Sequence, residues 1–402
     1  MAVGLPASHH QPLSPEAQLL LICARPRLSD EWRAVLRALV ERPLDWDAAL
    51  QAAQRNFVSV LLRKHLLESV ADLLPAAVVD ALNRLRKLST LRALEVVRIQ
   101  RMLASDILAK VPHVFIKGAT LAQRYFGDPF LRQYRDIDVL LDDAGLLAVG
   151  AALIGRGYVI SNPDWGKFKD ANLAAFCRYT CVLELRSPTG VSVELHRTLD
   201  NTGCVFSSKH YLATAITGTL DRDPISVLPS AELFVYLCFH HSRHQWSSLH
   251  WCADLHAFWQ HPEHDPAAVK QLARRLGMQA TVAECEQLRR DLDALAQHGA
   301  LPDSQGNSRL LADCLAALHA SITPPLAATQ PALPEALAEP DFRYPWQKTL
   351  RYRWRFQWAR LKPTANDYNA LPLPLHWHWL YYLLKPIRVL HTHWARVPAA
   401  QP

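Results

Sequence analysis

The spacing of apolar residues changes twice along the chain, and this change restricts the possible folds more than any other feature. From residue 15 to 110, apolar residues recur at the three- and four-residue spacing of amphipathic helices. Short β-branched and aromatic runs bounded by Gly and Pro follow from 111 to about 200, and helical spacing returns after Pro229. These patterns predict an α+β fold, with a small mixed sheet embedded in a mostly helical chain.

Strands and helices alternate in the central section. We expect strands at "HVFIKG" and "RDIDVLLDD", separated by a helix over "ATLAQRYFG", and a further helix over "AGLLAVGAALIGRGY". The runs "CRYTCVLELR" and "VSVELHR" predict two strands joined by the turn "SPTG". The chain is therefore expected to comprise four regions: helices over 1–110, the α/β core over 111–225, helices over 226–325, and a Pro-rich linker with a basic, Trp-rich segment over 326–402.

Composition indicates an ordinary globular protein. Half of the 402 residues are hydrophobic and a fifth are charged. No segment approaches the roughly 20 apolar residues that span a bilayer, and the start of the chain lacks the pattern of a signal peptide. The eight cysteines form no C-x-x-C pair, which favours free thiols. These features together predict a cytoplasmic protein.

Charge is concentrated at the end of the chain. From Asp341 onward there are ten Lys and Arg against two Asp, and six of the twelve Trp. Such a segment could meet nucleic acid, an anionic membrane surface or an acidic substrate. It could also form a helical layer whose Arg stems and indoles pack on the main body, and we favour this packing over nucleic-acid binding.

Carboxylates share one face of two predicted strands. Strand alternation places Asp136 and Asp138 on the same face, and Glu194 and His196 on one face of "VSVELHR". If the two strands are neighbours, Glu194 can complete a three-carboxylate cluster with the acid pair. Buried carboxylates are costly unless a cation meets them, and such a cluster suits Mg²⁺ or Mn²⁺ with phosphate oxygens.

Basic residues flank the acids in a way that suits a phosphate. Lys117 and Gly118 end one predicted strand and start a helix, and a helix N-terminus beside a Lys can bind an anion. Arg135 precedes the acid pair and could be a second phosphate partner or a charge balance. His196 could orient Glu194, contact a phosphate, or be an ordinary residue at a strand end.

The run "FIKGATLAQRYF…RQYRDIDVLL", the Gly-Tyr at 157–158 and "VSVELHRTL" resemble the uncharacterised nucleotidyltransferase-like family of the DNA polymerase β-type superfamily. Softer matches lie in "LFVYLCFHHSRHQWSSLHWCADL" and "LKPTANDYNALPLPLHWHWLYYLLKPIRVL", so the resemblance covers most of the chain. It implies that Asp136 and Asp138 are paired metal ligands, Glu194 the third carboxylate, and Gly118 the glycine of the strand-end turn. The sequence departs from the usual Gly-Ser or Gly-Gly there, having Lys117 and Gly118, and 17 residues separate Gly118 from Asp136.

The resemblance also implies an activity, namely Mg²⁺-dependent transfer of a nucleotide monophosphate from a nucleoside triphosphate to an acceptor, with release of pyrophosphate. The acceptor could be a small molecule, a peptide, a protein or an RNA. Two alternatives remain: a catalytically silent member of the family that binds a nucleotide or a partner, or a nucleic-acid-binding protein that acts through its basic C-terminal segment.

A histidine cluster is the other candidate site. His240 and His244 are four residues apart on a predicted helix, and His250 and Asp254 follow. A zinc hydrolase would need a Glu beside the first His, which the sequence lacks. We therefore expect these residues mainly to pack helices near the sheet, with one His or Arg243 as a possible substrate contact.

Overall fold

The computed structural model describes residues 13–161, 173–200, 205–301, 308, 310–323 and 344–394. The described residues are 64% helical and contain a single seven-stranded mixed sheet, which confirms the α+β prediction. Among the described residues, no helix combines the length and the apolar character needed to cross a bilayer.

Five α-helices precede the sheet in the described part of the chain, as the helical spacing predicts. They are α1 (Pro15–Cys23), α2 (Asp30–Val40), α3 (Trp46–Arg55), α4 (Ser59–Ser69) and α5 (Ala76–Met102), the last of which continues as a π-helical turn. The hydroxyl of Ser14 accepts a hydrogen bond from the amide of Ala17, and Pro15 takes the first helical position. The start of α1 is thus fixed by the side-chain cap and by the preset φ of proline.

The strands lie in the order β3-β4-β5-β2-β1-β7-β6. They are β1 (His113–Phe115), β2 (Asp136–Leu141), β3 (Val159–Ile160), β4 (Val182–Arg186), β5 (Ser192–His196), β6 (Ile216–Leu220) and β7 (Asp223–Val227). The central strand β2 runs antiparallel to β1 and parallel to β5. The helices between the strands are α6 (Ala119–Leu121) with a following π-helical turn, α7 (Asp143–Gly155), α8 (Leu173–Tyr179) and α9 (Ser208–Thr214).

Two differences from the predicted elements concern the sheet. The run "CRYTCVLELR" does not begin as a strand, because Cys177 to Tyr179 belong to α8 and β4 starts only at Val182. The β6–β7 hairpin was not predicted. Most of β6 is exposed or half-buried, so it lacks the alternation of apolar residues that marks a strand with one buried face.

The later helices confirm the return of helical spacing. They are α10 (Ser230–Arg243), α11 (Leu249–Trp259), α12 (Pro266–Leu276), α13 (Gln279–His298) and α14 (Leu311–Ile322). The C-terminal segment adds α15 (Leu350–Leu361), α16 (Ala365–Ala370) and α17 (Tyr381–Trp394). Tyr344, Trp346 and Tyr352 pack into the helical core, and Tyr368 and Tyr381 into the core beneath the sheet.

The two faces of β2 enter two different cores. Ile137, Val139 and Leu141 pack in a core with α5 and α7, whereas Leu140 belongs to the core formed by the helices before and after the sheet. Side chains alternate along a strand, so the face that carries Asp136 and Asp138 is also the face turned toward the helical core. The acids therefore lie between the sheet and the helices.

Candidate active site

The register of β2 and β5 brings the predicted acids together. Asp138 pairs with Glu194 across the two strands, and Asp136 pairs with Ser192. Directly paired residues on neighbouring strands project to the same face with their Cβ atoms roughly 5 Å apart. The condition on which the carboxylate cluster depended, that the two strands are neighbours, is therefore met.

Asp138 is the buried centre of the site. Its Oδ1 accepts a hydrogen bond from Nε2 of His196 at 3.0 Å and lies 3.6 Å from Nζ of Lys117. Burial alone would raise the pKa of Asp138, but the charges of Lys117 and His196 hold it well below its usual range. Its second oxygen, Oδ2, is buried and has no hydrogen-bond partner among the described residues.

His196 links the two strands' carboxylates. Its Nε2 lies 3.3 Å from Oε2 of Glu194 in addition to its bond with Asp138. Burial would lower the pKa of His196, but hydrogen bonds to Asp138 and Glu194 raise it to about 9. The side chain of Glu194 remains 30% exposed, so this end of the cluster is open to solvent. One ligand atom each from Asp138, Glu194 and His196 lies within 4.8 Å of the others.

Asp136 has the opposite electrostatic environment to Asp138. Burial, and then the negative charge of Asp138, raise the pKa of Asp136 to about 6. It is half-buried at the start of β2 and is not one of the three residues whose ligand atoms converge. The two acids thus differ in their surroundings. Asp138 is already paired with cations, whereas Asp136 has too little positive charge nearby to offset its burial and the charge of Asp138.

Lys117 is held between the sheet and α10. Its Nζ lies 3.2 Å from Nε2 of His240 and 3.6 Å from Asp138. Burial would lower the pKa of Lys117, but Asp138, Tyr236, Asp136 and Glu194 raise it above its usual value. Burial and the nearby Lys117 charge hold the pKa of His240 well below its usual range, so a neutral His240 accepts the hydrogen bond from Lys117.

Gly118 makes the sharp turn between β1 and α6. Its φ of 71° with ψ of −134° is a backbone conformation that residues with a side chain rarely adopt. A Cβ at this position would lie 3.2 Å from the carbonyl oxygen of Asp136. Glycine is therefore needed both for the turn and for the close approach of the two strand segments.

A second buried ion pair supports the acid strand, and no local pattern of residues predicts it. Nε and Nη2 of Arg132 donate to the two carboxylate oxygens of Asp254 at 2.6 and 2.9 Å, and both side chains are buried. Arg135, the residue singled out in the sequence, is instead exposed and stacks on the ring of Phe57 at 4.1 Å. Position in the sequence could not distinguish the two arginines, because the partner of Arg132 is 122 residues away.

The histidine cluster is close to the site. His240 and His244 share a helix face, with ring centroids 4.7 Å apart, and His241 stacks on Trp251. Burial lowers the pKa of His240, His244 and His250, so these rings are neutral in the fold. In the described part of the chain, the metal-ligand geometry occurs at Asp138, Glu194 and His196 and not at these histidines.

A family model described as "Uncharacterised nucleotidyltransferase" matches residues 42–291. The chain belongs to this family. The match includes every strand of the sheet together with α10 and α11, and it ends before the basic C-terminal segment. A search of curated proteins gave no match.

The site of this nucleotidyltransferase fits a divalent metal. Asp138 and Glu194 offer hard oxygen ligands, and His196 a nitrogen within the same small volume. The buried Oδ2 of Asp138 is the decisive observation, because a buried carboxylate oxygen without a donor is costly unless a cation or water meets it.

Proposed function

We propose that this chain is a Mg²⁺-dependent nucleotidyltransferase, with Mn²⁺ as a possible substitute. An acceptor oxygen would attack the α-phosphorus of a nucleoside triphosphate, the new oxygen–phosphorus bond would form, and the bond to the bridging oxygen would break to release pyrophosphate. The observation that carries the proposal is the pairing of Asp138 with Glu194, with Oδ2 of Asp138 unpartnered, in a member of this family.

Asp136, Asp138 and Glu194 would hold the metal, which when bound would neutralise phosphate charge and polarise the reacting phosphoryl group. His196 donates to Asp138 and lies next to Glu194, so it would fix the orientation of both carboxylates. One of these acids would also receive the acceptor proton.

Positive groups would hold the triphosphate. Lys117 is positioned beside the acids by His240, and the backbone after Gly118 begins a helical segment. Arg135 is exposed one residue before β2, where a phosphate could reach it from solvent. His196 lies on the face of the sheet that carries the acids. Positioning and charge neutralisation would then supply most of the acceleration, since phosphoryl transfer needs little covalent help from the protein.

The test is a transfer assay with purified protein, Mg²⁺ and each labelled nucleoside triphosphate, alone and with cell extract as a source of acceptor. We expect pyrophosphate release and label transfer that Asp136→Ala and Asp138→Ala abolish. Asp143→Asn is the matched control, because this acid is 84% exposed on α7 and lies outside the cluster. Label transfer that survives both alanine substitutions would overturn the assignment.

One observation favours a catalytically silent nucleotide-binding protein as the second candidate. Lys117 and His196 pair with Asp138, so cations of the protein itself can balance this buried charge. Equilibrium dialysis separates the two: the silent protein would bind nucleotide equally well in Mg²⁺ and in a chelator, and would release no pyrophosphate with any triphosphate.

A further inference from the structure

Helix α15 has an exposed apolar stripe, formed by Leu350, Trp354, Trp358 and Leu361. Their exposed fractions are 84, 67, 47 and 52%. At about 100° per residue, these positions fall within roughly 80° of one another on the helix surface. The indoles of Trp354 and Trp358 stack with their centroids 6.1 Å apart, so the stripe is a continuous apolar surface along the helix.

The remaining faces of α15 are organised around this stripe. Tyr352 and Phe356 lie on the opposite side of the helix, where Tyr352 is buried in the helical core and Phe356 packs against it. Basic residues occupy the two flanks between the stripe and the core, at Arg351, Arg353, Arg355 and Arg360. One face therefore fixes the helix to the body, and the apolar face points away from it, bordered by arginines.

Further apolar side chains are exposed in the part of the chain that follows α15. The segment after it exposes further large side chains, with exposed fractions from 45 to 65%, namely Leu375, Trp377, Trp379, Leu383 and Ile387. Residues 344–394 contain eight Lys and Arg and one Asp. An exposed apolar surface in a segment with an excess of positive charge marks an interaction site, and the net charge favours an anionic partner.

We propose that the α15 stripe and the neighbouring C-terminal apolar side chains dock on an anionic lipid surface. A helix that buries tryptophan and leucine in the headgroup region lies in the plane of the membrane, and a segment with net positive charge is attracted to an anionic lipid surface. Exposed aliphatic side chains such as Leu350, Leu361 and Ile387 favour lipid over nucleic acid, because aliphatic groups gain from an apolar phase and not from stacking on bases. The family match ends at residue 291, so this surface lies outside the matched residues.

Vesicle co-sedimentation of the full chain tests the proposal. The vesicles are an equal mixture of phosphatidylcholine and phosphatidylglycerol, with phosphatidylcholine alone for comparison, each at low and high salt. We expect binding to the mixed vesicles that high salt weakens, and at least about a ten-fold weaker partition for Trp354→Ser/Trp358→Ser. The matched control is Leu88→Ser/Leu91→Ser on α5, where the exposed fractions are a comparable 63 and 56%. All variants must give the same melting curve by circular dichroism.

Three results would overturn the proposal. The first is wild-type binding to mixed vesicles that the double tryptophan substitution leaves unchanged. The second is salt-dependent binding to RNA or DNA without vesicle binding, which would identify the segment as a nucleic-acid surface. The third is a dimer, seen by gel filtration, that the same substitution converts to monomer while no variant binds vesicles.

Discussion

Asp138 and Asp136 are two residues apart on one strand, yet the structure predicts opposite effects on stability when each is replaced by asparagine. Asp138 is 2% exposed and pairs with two buried cations, Lys117 and His196. Asp138→Asn preserves the shape and removes the charge, so both cations lose their main partner. Removing one member of a buried ion pair costs about 3–5 kcal/mol.

That loss converts to a measurable change in melting temperature. With an unfolding entropy of about 2.1 cal/mol/K per residue, a chain of this length should melt roughly 4–6 °C lower in the Asp138→Asn form. The pKa of Asp138 is held below its usual range, so its contribution is complete above the unfolded-state pKa and is lost as the pH falls through the folded-state value. The difference from wild type should therefore be largest near neutral pH.

Asp136→Asn is the internal comparison. Burial and Asp138 raise the pKa of Asp136 from 3.8 to about 6, so its ionised form is destabilising in the fold. Below pH 3.8 the carboxyl group is protonated in both the folded and the unfolded state, and it does not destabilise the fold. As the pH rises through 6 the carboxyl group ionises in the fold, and above that pH its charge costs about 1–3 kcal/mol of folding stability. Asp136→Asn removes this cost and should melt at or above the wild-type temperature at pH 8.

Circular dichroism melts at pH 8 in EDTA and then in Mg²⁺ test both expectations. In EDTA the order should be Asp136→Asn, wild type, Asp138→Asn, from highest to lowest melting temperature. Mg²⁺ should raise the wild-type value and raise the two variants less, because each lacks one proposed ligand. An Asp138→Asn protein as stable as wild type in EDTA would show that the ion network does not hold the site together.

Further predictions concern the turn, a buried histidine and the second ion pair. Gly118→Ala should lose about 1–3 kcal/mol of folding stability and most of the transfer activity. Gly190→Ala, also at positive φ but with open space around it, should lose less of both in thermal melts and the transfer assay. Burial lowers the pKa of His65 to about 4, so stability should fall by up to about 3 kcal/mol as the pH drops from 6.5 to 4, and His65→Gln should weaken this dependence in melts at pH 7 and 5. Arg132→Met should cost about 3–5 kcal/mol by leaving Asp254 buried without its cation, and Arg132→Met/Asp254→Leu should recover part of the loss in urea unfolding.

Local pattern was sufficient to predict the acid strands. The alternation in "DIDVLL" and "VSVELH" placed Asp136, Asp138, Glu194 and His196 on one face, and the parallel pairing of β2 with β5 joins those faces. The face that each of these residues occupies follows from its position within its own strand, so a short stretch of sequence is enough to predict it. The turn at Gly118 was implied by the family resemblance, and its φ of 71° uses the conformational freedom of glycine.

Long-range partners could not be predicted in this way. His240 contacts Lys117 across 123 residues, and Asp254 contacts Arg132 across 122. Neither pair has a spacing or a motif that a single sequence reveals, and both depend on how α10 and α11 pack on the sheet. The same limit explains why Arg135, next to the acids in sequence, appeared the better candidate, although Arg132 is the arginine buried beside them.

The helices after the sheet determine the electrostatics of the site. The strands alone would place three carboxylates together with Lys117 and His196. His240 from α10 holds the Lys117 ammonium in the site. Asp254 from α11 anchors Arg132, which precedes β2. The four regions expected from the sequence therefore describe the order of elements along the chain, while the site draws on both 111–225 and 226–325. An excised 111–225 fragment would keep the acids and lose these two anchors. The family match also includes these helices, since it continues past the end of the sheet through α10 and α11 to residue 291.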